Sequence, residues 1–429
     1  MSNHILWQLQ LSATYKGKFS LEMDSNWNVF IMKAREMLRI DPTLSIDVLV
    51  PYHENCVEDV SQSIIEAGIT HGVAPIEIPI VTNALITRYD FPWEDIVRRI
   101  GQRIRTYTHI YINDPMQLRH WRALCHSLCH SGHAPRFILQ THFLDTPGNR
   151  VVPEEVSYWH GTVEACTKAD VCVWHCDSMK EEFFFAAMKD YQEHIVYDIM
   201  EKSTVWKSGY SINEIRQLID KNNLRFDLSS CLPKDKVIVW VPNRVGGLGR
   251  SLDYTNNGKF LFEIVPELWK QRRDFVVIAG NPNQKISNDE IAQRCPAYVK
   301  LVDGTLNRDE YRYISSCADI VVGLYTNDTN GGLASLEAIE MGAGPLFPAV
   351  YEYETYFRKS GWDRELCVAP DLSDTGEVLS RLISRVKEGS FDKYDTEYTR
   401  AKSRMRKYIR ETAAYENTTQ QAMKSMELL

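Results

Sequence analysis

Residues 318–348 constrain the fold more than any other part of this sequence. An apolar run rich in Val and Ile, 319–324, is typical of a buried parallel strand, and a polar loop ending in two glycines, 325–332, follows it. Apolar residues then recur at helical spacing over 333–341, Gly342 is a good helix stop, and the chain resumes as another apolar strand. The stretch therefore predicts a βαβ unit with a glycine loop at the carboxyl end of its first strand.

Such a glycine loop lets backbone N–H groups and a helix N-terminus approach a phosphate closely. The candidate positions are Asn330, Gly331, Gly332 and Leu333. Glu337 lies about one turn into the helix, where its carboxylate can accept hydrogen bonds from the two hydroxyls of a ribose. The alternative is an ordinary βαβ unit that binds no ligand, because a lone glycine loop is weak evidence.

Composition sets the broad class. The chain has 429 residues, enough for two domains of about 200 residues each, and its 44% hydrophobic and 25% charged residues are those of a globular protein. No apolar run approaches the roughly 20 residues of a membrane span, and the N-terminus lacks the pattern of a signal peptide, so we expect a cytoplasmic protein with mostly free cysteines. A net charge of −8 argues against a broad nucleic-acid coat but leaves room for a local basic cleft.

Strand and helix patterns alternate along the whole chain. It opens with a strand over 5–11, a helix that starts at Lys18 or Phe19 and runs towards Arg39, and a second strand over 45–50. Alternation of this kind predicts an α/β protein with parallel sheets. We predict an N-terminal domain, 1–205, a second domain, 206–395, and a helical segment, 396–429, that can return to the N-terminal domain. The basic residues of that segment are interpreted as a solvated face.

Polar residues follow two more predicted strands. His142 and Asp145 come just after a buried strand in the first half, and a loop with Arg244, Gly246 and Arg250 follows the strand 236–241. A helix then begins near Lys259. Cys125, Cys129 and their neighbouring histidines invite a metal interpretation, but helix geometry separates the two residue types by about 100° and cannot close a tetrahedron. We predict no metal site.

Several residues of the opening stretch match the pattern of a known enzyme class. In retaining glycosyltransferases of the GT-B fold the pattern is E-x-x-G-L-x-x-L-E-A, followed by a glycine and a proline-led strand. The matching residues here are Gly332, Leu333, Leu336, Glu337, Ala338 and Gly342. The slot of the first glutamate holds Thr329, with Asp328 beside it. The chain thus resembles these enzymes, which implies two Rossmann-like domains facing each other across a cleft. It also implies that 1–205 is the acceptor domain and 206–395 the nucleotide-sugar domain.

The resemblance also implies roles for residues outside the stretch. Arg244 and Lys259 would hold the donor pyrophosphate, with Arg250 as a competitor for the first role. Gly17, Gly246 and the glycine loop would allow close approach of the donor, a nucleotide sugar that we expect to be a UDP-sugar. His142 or Asp145 would face the transferred sugar or accept the proton of the acceptor hydroxyl.

A narrower resemblance is to the DNA alpha-glucosyltransferases of T-even bacteriophages. It is carried by the run 18–22, by 140–145, by the path 164–177, and by the spacing from Leu336 to Phe347. It implies a hydroxymethylated DNA base as acceptor, in the host cytoplasm if the protein is viral. Arginines of the N-terminal domain form a solvated face or, in the alternative interpretation, contact the phosphates: Arg98, Arg99, Arg103 and Arg105, then Arg119 and Arg122 beside Trp121.

The leading hypothesis is therefore a retaining hexosyl- or pentosyltransferase that uses a nucleotide sugar and requires no metal. Small-molecule, lipid and protein acceptors stay open. A nucleotide-sugar epimerase would share the architecture and need no macromolecular acceptor. A non-catalytic nucleotide-sugar-binding protein is supported by Thr329 in place of the first glutamate.

Overall fold

The computed structural model describes most of the chain. The described residues are 2–9, 14–15, 18–19, 21, 24–53, 59–80, 93–129, 134–141, 144, 146–147, 158–220, 224, 233, 235–242, 256–281, 299–303, 306–326, 332–391 and 396–429. They form two compact units, Met1–Ser208 with Tyr415–Leu429, and Gly209–Ala414. The functional division into an acceptor domain, 1–205, and a nucleotide-sugar domain, 206–395, stays a prediction.

The first unit is built on a seven-stranded parallel sheet in the order β5-β4-β1-β6-β7-β8-β9. The strands of this unit, with the antiparallel pair β2–β3, are β1 His4–Gln8, β2 Thr14–Tyr15, β3 Lys18–Phe19, β4 Ser45–His53, β5 Val73–Ile80, β6 His109–Ile112, β7 Arg136–Gln140, β8 Val171–Trp174 and β9 Ser203–Val205. Its α-helices are Ser25–Ile40, Val60–Glu66, Trp93–Ile100, Leu118–Leu128, Trp159–Lys168, Asp177–Asp190, Glu193–Glu201 and Tyr415–Ser425. One apolar cluster lies on each face of the sheet, because a parallel sheet is covered on both faces.

The first helix starts later than predicted. Lys18 and Phe19 pair as a short strand, and the helix begins at Ser25 because Asp24 caps it. The Asp24 carboxylate accepts hydrogen bonds from the backbone amides of Asn26 and Trp27 at 2.8 and 3.2 Å. An aspartate at this position satisfies amides that have no partner inside the helix. The predicted start at Lys18 or Phe19 was therefore wrong.

The second unit has a five-stranded parallel sheet in the order β12-β11-β10-β13-β14. Its strands are β10 Val237–Val241, β11 Phe275–Asn281, β12 Val299–Asp303, β13 Ile320–Val322 and β14 Gly344–Leu346. Its α-helices are Ile212–Arg216, Asn257–Lys259, Val265–Gln271, Arg308–Cys317, Leu333–Met341, Tyr351–Ser360, Thr375–Phe391 and Glu397–Ala413. A π-helical turn, Phe260–Ile264, joins the second and third of these helices. The predicted α/β class and the two Rossmann-like units are confirmed.

The βαβ unit predicted from residues 318–348 is present as β13, the helix Leu333–Met341 and β14. Gly342 ends the helix with a φ of 117°, a left-handed conformation that glycine adopts at little cost. In the part of the chain that the structure describes, no helix has both the length and the apolar character needed to cross a bilayer.

Candidate functional site

The sheet of the second unit changes direction between β10 and β13. The chain passes from β10 to β11 and β12 on one side, then returns to β13 on the other side of β10. Open parallel sheets bind their ligands outside the carboxyl ends of the strands at such a switch point. The carboxyl ends of β10 and β13 are therefore one candidate site, and the first unit has an equivalent switch point between β1 and β6.

Both loops predicted to bind the donor leave this edge of the sheet. Val239 and Trp240 of β10 are in register with Ile320 and Val321 of β13, so the two strands end side by side. Arg244, Gly246 and Arg250 follow β10, and Asn330 and Gly331 follow β13; all five lie outside the described residues. The strand register thus brings together the starting points of the two loops.

A described contact links the far end of the first loop to β13. Asn256 donates a hydrogen bond from its Nδ2 to the carbonyl oxygen of Leu324, just past β13, at 3.1 Å. Lys259 lies three positions later in the short helix Asn257–Lys259, with its side chain exposed. Among the described residues Lys259 has no ion-pair partner, so its charge is available to a ligand.

The glycine loop ends at a helix that we name the Glu337 helix, Leu333–Met341. Gly332 is its N-cap residue, and the Gly332 amide donates a hydrogen bond to the Tyr353 hydroxyl at 3.2 Å. The amide predicted to approach a phosphate therefore already has a hydroxyl oxygen as its partner. No sequence pattern indicated Tyr353, which belongs to the helix Tyr351–Ser360 after β14.

Glu337 is buried and ion-paired, which the sequence did not indicate. Arg308 Nη1 donates to Glu337 Oε2 at 3.0 Å, and Arg308 Nη2 donates to Glu337 Oε1 at 2.7 Å. Arg308 belongs to the Arg308 helix, Arg308–Cys317, which precedes β13. The nearby Tyr311 hydroxyl donates to the Ala334 carbonyl at 2.7 Å, and burial first, then the Glu337 charge, raise the pKa of Tyr311 well above its ordinary value. Glu337 thus keeps a fixed carboxylate about one turn into the helix.

The corresponding edge of the first unit carries polar side chains after several strands. Gln140, the last residue of β7, accepts hydrogen bonds at Oε1 from Tyr111 at 2.7 Å and from Lys33 at 3.3 Å. Its Nε2 lies 3.1 Å from Nδ1 of His175, which follows β8. Gly17, His142 and Asp145, the residues predicted for donor and sugar contacts, lie outside the described residues.

Lys33 is the unexpected member of this polar group. It is fully buried, its Nζ lies 3.9 Å from the centre of the Trp206 ring, and burial lowers the pKa of Lys33 well below its ordinary value. Lysine on an amphipathic helix normally reaches solvent. Nothing in the local sequence distinguishes Lys33 from the exposed cations of other helices.

The Cys125 region belongs to the core. Cys125 is buried on the same helix as Trp121, and burial, followed by the neighbouring Cys129, raises the pKa of the Cys125 thiol to about 12. A thiol that stays protonated is a poor metal ligand. Within the described ranges no group of three or more His, Cys, Asp or Glu side chains is arranged to hold a metal ion. Trp121 itself is fully buried and cannot serve as a wedge in DNA.

No protein-family model matches this sequence, and no curated protein matches it. Solved structures do. HepE of Anabaena in complex with UDP and glucose is 11% identical, with a TM-score of 0.65 over 100% of both chains. HepE in complex with UDP-glucose is 12% identical, with a TM-score of 0.64 over 99% of this chain and 100% of its own. An α,α-trehalose-phosphate synthase from Burkholderia xenovorans in complex with glucose-6-phosphate is 11% identical, with a TM-score of 0.62 over 99% of this chain and 100% of its own.

This chain has the GT-B fold. The matches extend over the whole of both chains, so the two Rossmann-like units are shared and not only one of them. The GT-B unit with the switch point between β10 and β13 is the second one.

Proposed function

We propose that this chain is a nucleotide-sugar-dependent glycosyltransferase with a UDP-sugar donor. The observation that carries the proposal is the switch point of the second unit, where two glycine-bearing loops leave the adjacent strands β10 and β13. An exposed cation, Lys259, follows one loop, and a buried carboxylate, Glu337, follows the other. The structures of HepE with UDP and with UDP-glucose support a UDP-sugar as donor.

The proposed chemistry rests on charge. As the sugar leaves, negative charge develops on the departing UDP, and cations or amides aimed at that charge lower the barrier. Arg244 and Lys259 would carry this role, with Arg250 as the substitute for Arg244. Gly17, Gly246, Asn330, Gly331, Gly332 and Leu333 would let the backbone approach the diphosphate. Cations of the chain supply the compensating charge, so the proposal needs no metal.

The remaining roles concern the ribose and the sugar. Glu337 would accept hydrogen bonds from the ribose hydroxyls. His142 or Asp145 would face the sugar or accept the acceptor proton, and Asp328 or a backbone amide would replace the missing first glutamate beside Thr329. We propose retention at the anomeric carbon on the strength of the resemblance to retaining GT-B enzymes.

Replacing Lys259 by alanine should lower kcat/KM for sugar transfer or donor hydrolysis by about 30-fold, equivalent to about 2 kcal/mol of transition-state stabilisation. Arg244→Ala should have an effect of similar size. Steady-state kinetics measures both. The matched control is Lys270→Ala, because Lys270 is an exposed lysine of the following helix that pairs with Glu267 at 2.6 Å. Wild-type kinetics in both Lys259→Ala and Arg244→Ala would remove the diphosphate assignment.

The acceptor that we propose to test first is a hydroxymethylated base in DNA, on the strength of the phage resemblance. Most arginines of the expected strip have partners within the chain. Arg98 pairs with Asp95 and Glu94 at 3.0 and 3.3 Å, and Arg103 pairs with Asp47 at 2.6 Å. Arg105 donates to the Leu128 carbonyl at 2.6 Å. In the described part of the chain Arg99 and Arg119 are exposed and have no ion pair, so they are the most available phosphate contacts.

One assay separates the alternatives. Protein is incubated with UDP-glucose and other nucleotide sugars, with hydroxymethylated or ordinary duplex DNA, and with small-molecule hydroxyl acceptors. Mass spectrometry then follows both donor and acceptor. A sugar adduct supports a transferase and identifies the acceptor class. Sugar-nucleotide turnover to an isomer without acceptor would make the protein an epimerase, and donor binding without turnover would make it a binding protein.

DNA binding has its own control. Phosphate contacts make binding weaken steeply as salt rises. If DNA is the acceptor, Arg99→Ala should weaken binding to all duplexes alike and reduce the salt slope. No adduct on modified DNA with any donor, together with absent or salt-independent DNA binding, would eliminate this acceptor and leave the transferase proposal standing.

A further inference from the structure

The Arg308–Glu337 pair has the geometry of a fixed support. Both oxygens of the Glu337 carboxylate accept a hydrogen bond from one guanidinium, at 3.0 and 2.7 Å. A bidentate contact of two parallel bonds fixes the plane and direction of the carboxylate, which a single bond does not. The Glu337 side chain is 8% exposed and the Arg308 side chain is 45% exposed, so the pair lies at the surface with the carboxylate on the inner side.

Arg308 is held in place independently of Glu337. It is the first residue of the Arg308 helix, which begins with a capping box: Glu310 N–H donates to Asn307 Oδ1 at 2.9 Å, and Asn307 N–H donates to Glu310 Oε2 at 2.8 Å. Arg308 Nη2 also donates to Glu214 Oε2 at 3.2 Å. The capping box fixes the backbone at Arg308, and Glu214 gives the guanidinium a second carboxylate partner. Glu337 is thus oriented by a residue of a neighbouring helix.

The paired carboxylate keeps acceptor capacity. An ionised carboxylate has about four lone-pair sites on its two oxygens, and the bidentate guanidinium uses the one on each oxygen that faces it. The remaining two diverge on the outer sides of the carboxylate, so an oxygen that faces the ligand can still accept hydrogen bonds from ligand hydroxyls. A vicinal diol, such as the 2′ and 3′ hydroxyls of a ribose, presents two donors of that kind.

We propose that Arg308 is a positioning residue that holds the Glu337 carboxylate ready for the ribose diol of the donor. This inference rests on the proposed function. Holding a glutamate in one conformation before the ligand arrives removes an ordering cost of about 1.0–1.4 kcal/mol from binding, which corresponds to fivefold to tenfold in affinity. Loss of Arg308 should therefore weaken donor binding by about fivefold to tenfold, and only through the ribose hydroxyls.

The test compares UDP with 2′,3′-dideoxy-UDP by isothermal titration calorimetry. Wild-type protein should bind UDP more tightly than the dideoxy analogue. Arg308→Ala should lose about fivefold to tenfold in affinity for UDP and bind the analogue as wild type does. Adding Arg308→Ala to Glu337→Ala should cause no further loss, because the two residues act on the same hydroxyls. The UDP affinity of Arg308→Lys should lie between those of wild type and Arg308→Ala, since lysine cannot make the bidentate pair.

Arg364→Ala is the matched control. Arg364 makes a bidentate pair with Glu354 in the same unit. Its removal therefore tests whether loss of any surface arginine–glutamate pair changes UDP affinity. Circular dichroism and thermal unfolding establish that each variant is folded. Equal losses for UDP and for the dideoxy analogue in Arg308→Ala, a gain in UDP affinity, or additive losses in the double variant would overturn the positioning role while leaving the donor assignment intact. Absence of UDP binding by the wild type would instead overturn the donor assignment, and this inference with it.

Discussion

Replacing Glu337 by alanine is expected to weaken UDP binding by about 100-fold, or about 2.7 kcal/mol. The variant loses a charged acceptor for two ribose hydroxyls, and hydrogen bonds to charged groups are the stronger ones. The fold should survive, because Arg308 is 45% exposed and keeps its contact with Glu214. Isothermal titration calorimetry with UDP measures the effect.

The control for this variant is Glu354→Ala. This substitution also removes the carboxylate of a bidentate arginine pair, the one with Arg364. The variant should bind UDP as the wild type does. Glu337→Gln keeps one acceptor oxygen and should lie between wild type and Glu337→Ala. Unchanged UDP affinity in a folded Glu337→Ala protein would remove Glu337 from the site.

Replacing Glu340 by alanine should lower the free energy of unfolding of the second unit by about 3 kcal/mol. The Glu340 carboxylate is buried and accepts hydrogen bonds from Tyr210 at 2.9 Å, from Arg410 Nε at 3.1 Å and from Arg406 at 3.4 Å. Burial first, then the Glu340 charge, raise the pKa of Tyr210 above its ordinary value. Removing the carboxylate leaves the two guanidinium charges and the Tyr210 hydroxyl without their acceptor. Removal of one partner of a buried ion pair lowers the free energy of unfolding strongly.

Urea unfolding measures this loss. Because the chain has two compact units, hydrogen exchange at the amides of β10 identifies the transition that belongs to Gly209–Ala414. The control Glu354→Ala removes a surface ion pair and should change stability by less than about 1 kcal/mol. A Glu340→Ala protein within about 0.5 kcal/mol of the wild type would show that the partners of Glu340 find equivalent contacts without it.

Elements with a strong local pattern could be predicted from the sequence. The run Val237–Val241 is apolar at every position and forms the buried central strand β10. Gly342 ends the Glu337 helix where a left-handed residue is required. The order of strands and helices in 318–348 was also predictable, because each element differs in period from its neighbours.

Contacts between distant residues could not be predicted from the sequence. Arg308 and Glu337 are 29 residues apart in sequence and belong to different helices, so no local spacing indicates the pair. The basic face of the helix Glu397–Ala413 was interpreted as solvated, but Arg406 and Arg410 contact the buried Glu340. Lys33 is a further example, because lysine normally lies in solvent but this side chain is fully buried.

The short strand at Lys18 and Phe19 marks another limit. Two-residue strands leave no period in the sequence, and the helix boundary depended on one capping side chain, Asp24. Helix starts are set by such single contacts more than by average propensity. The predicted helix is therefore present, but it begins at Ser25 and not at Lys18 or Phe19.

Hydrogen exchange with and without UDP tests the proposed donor site directly. We expect UDP to slow exchange in the second unit at the amides of Asn257–Lys259, of 323–326 beyond β13, and of the first turn of the Glu337 helix. Bound ligand protects the segments it touches and stabilises the unit by mass action. The helix Thr375–Phe391 serves as an internal reference for general stabilisation. Local protection at the carboxyl edge of β10 and β13 would support the donor site, whereas no protection, or protection confined to other segments, would contradict it.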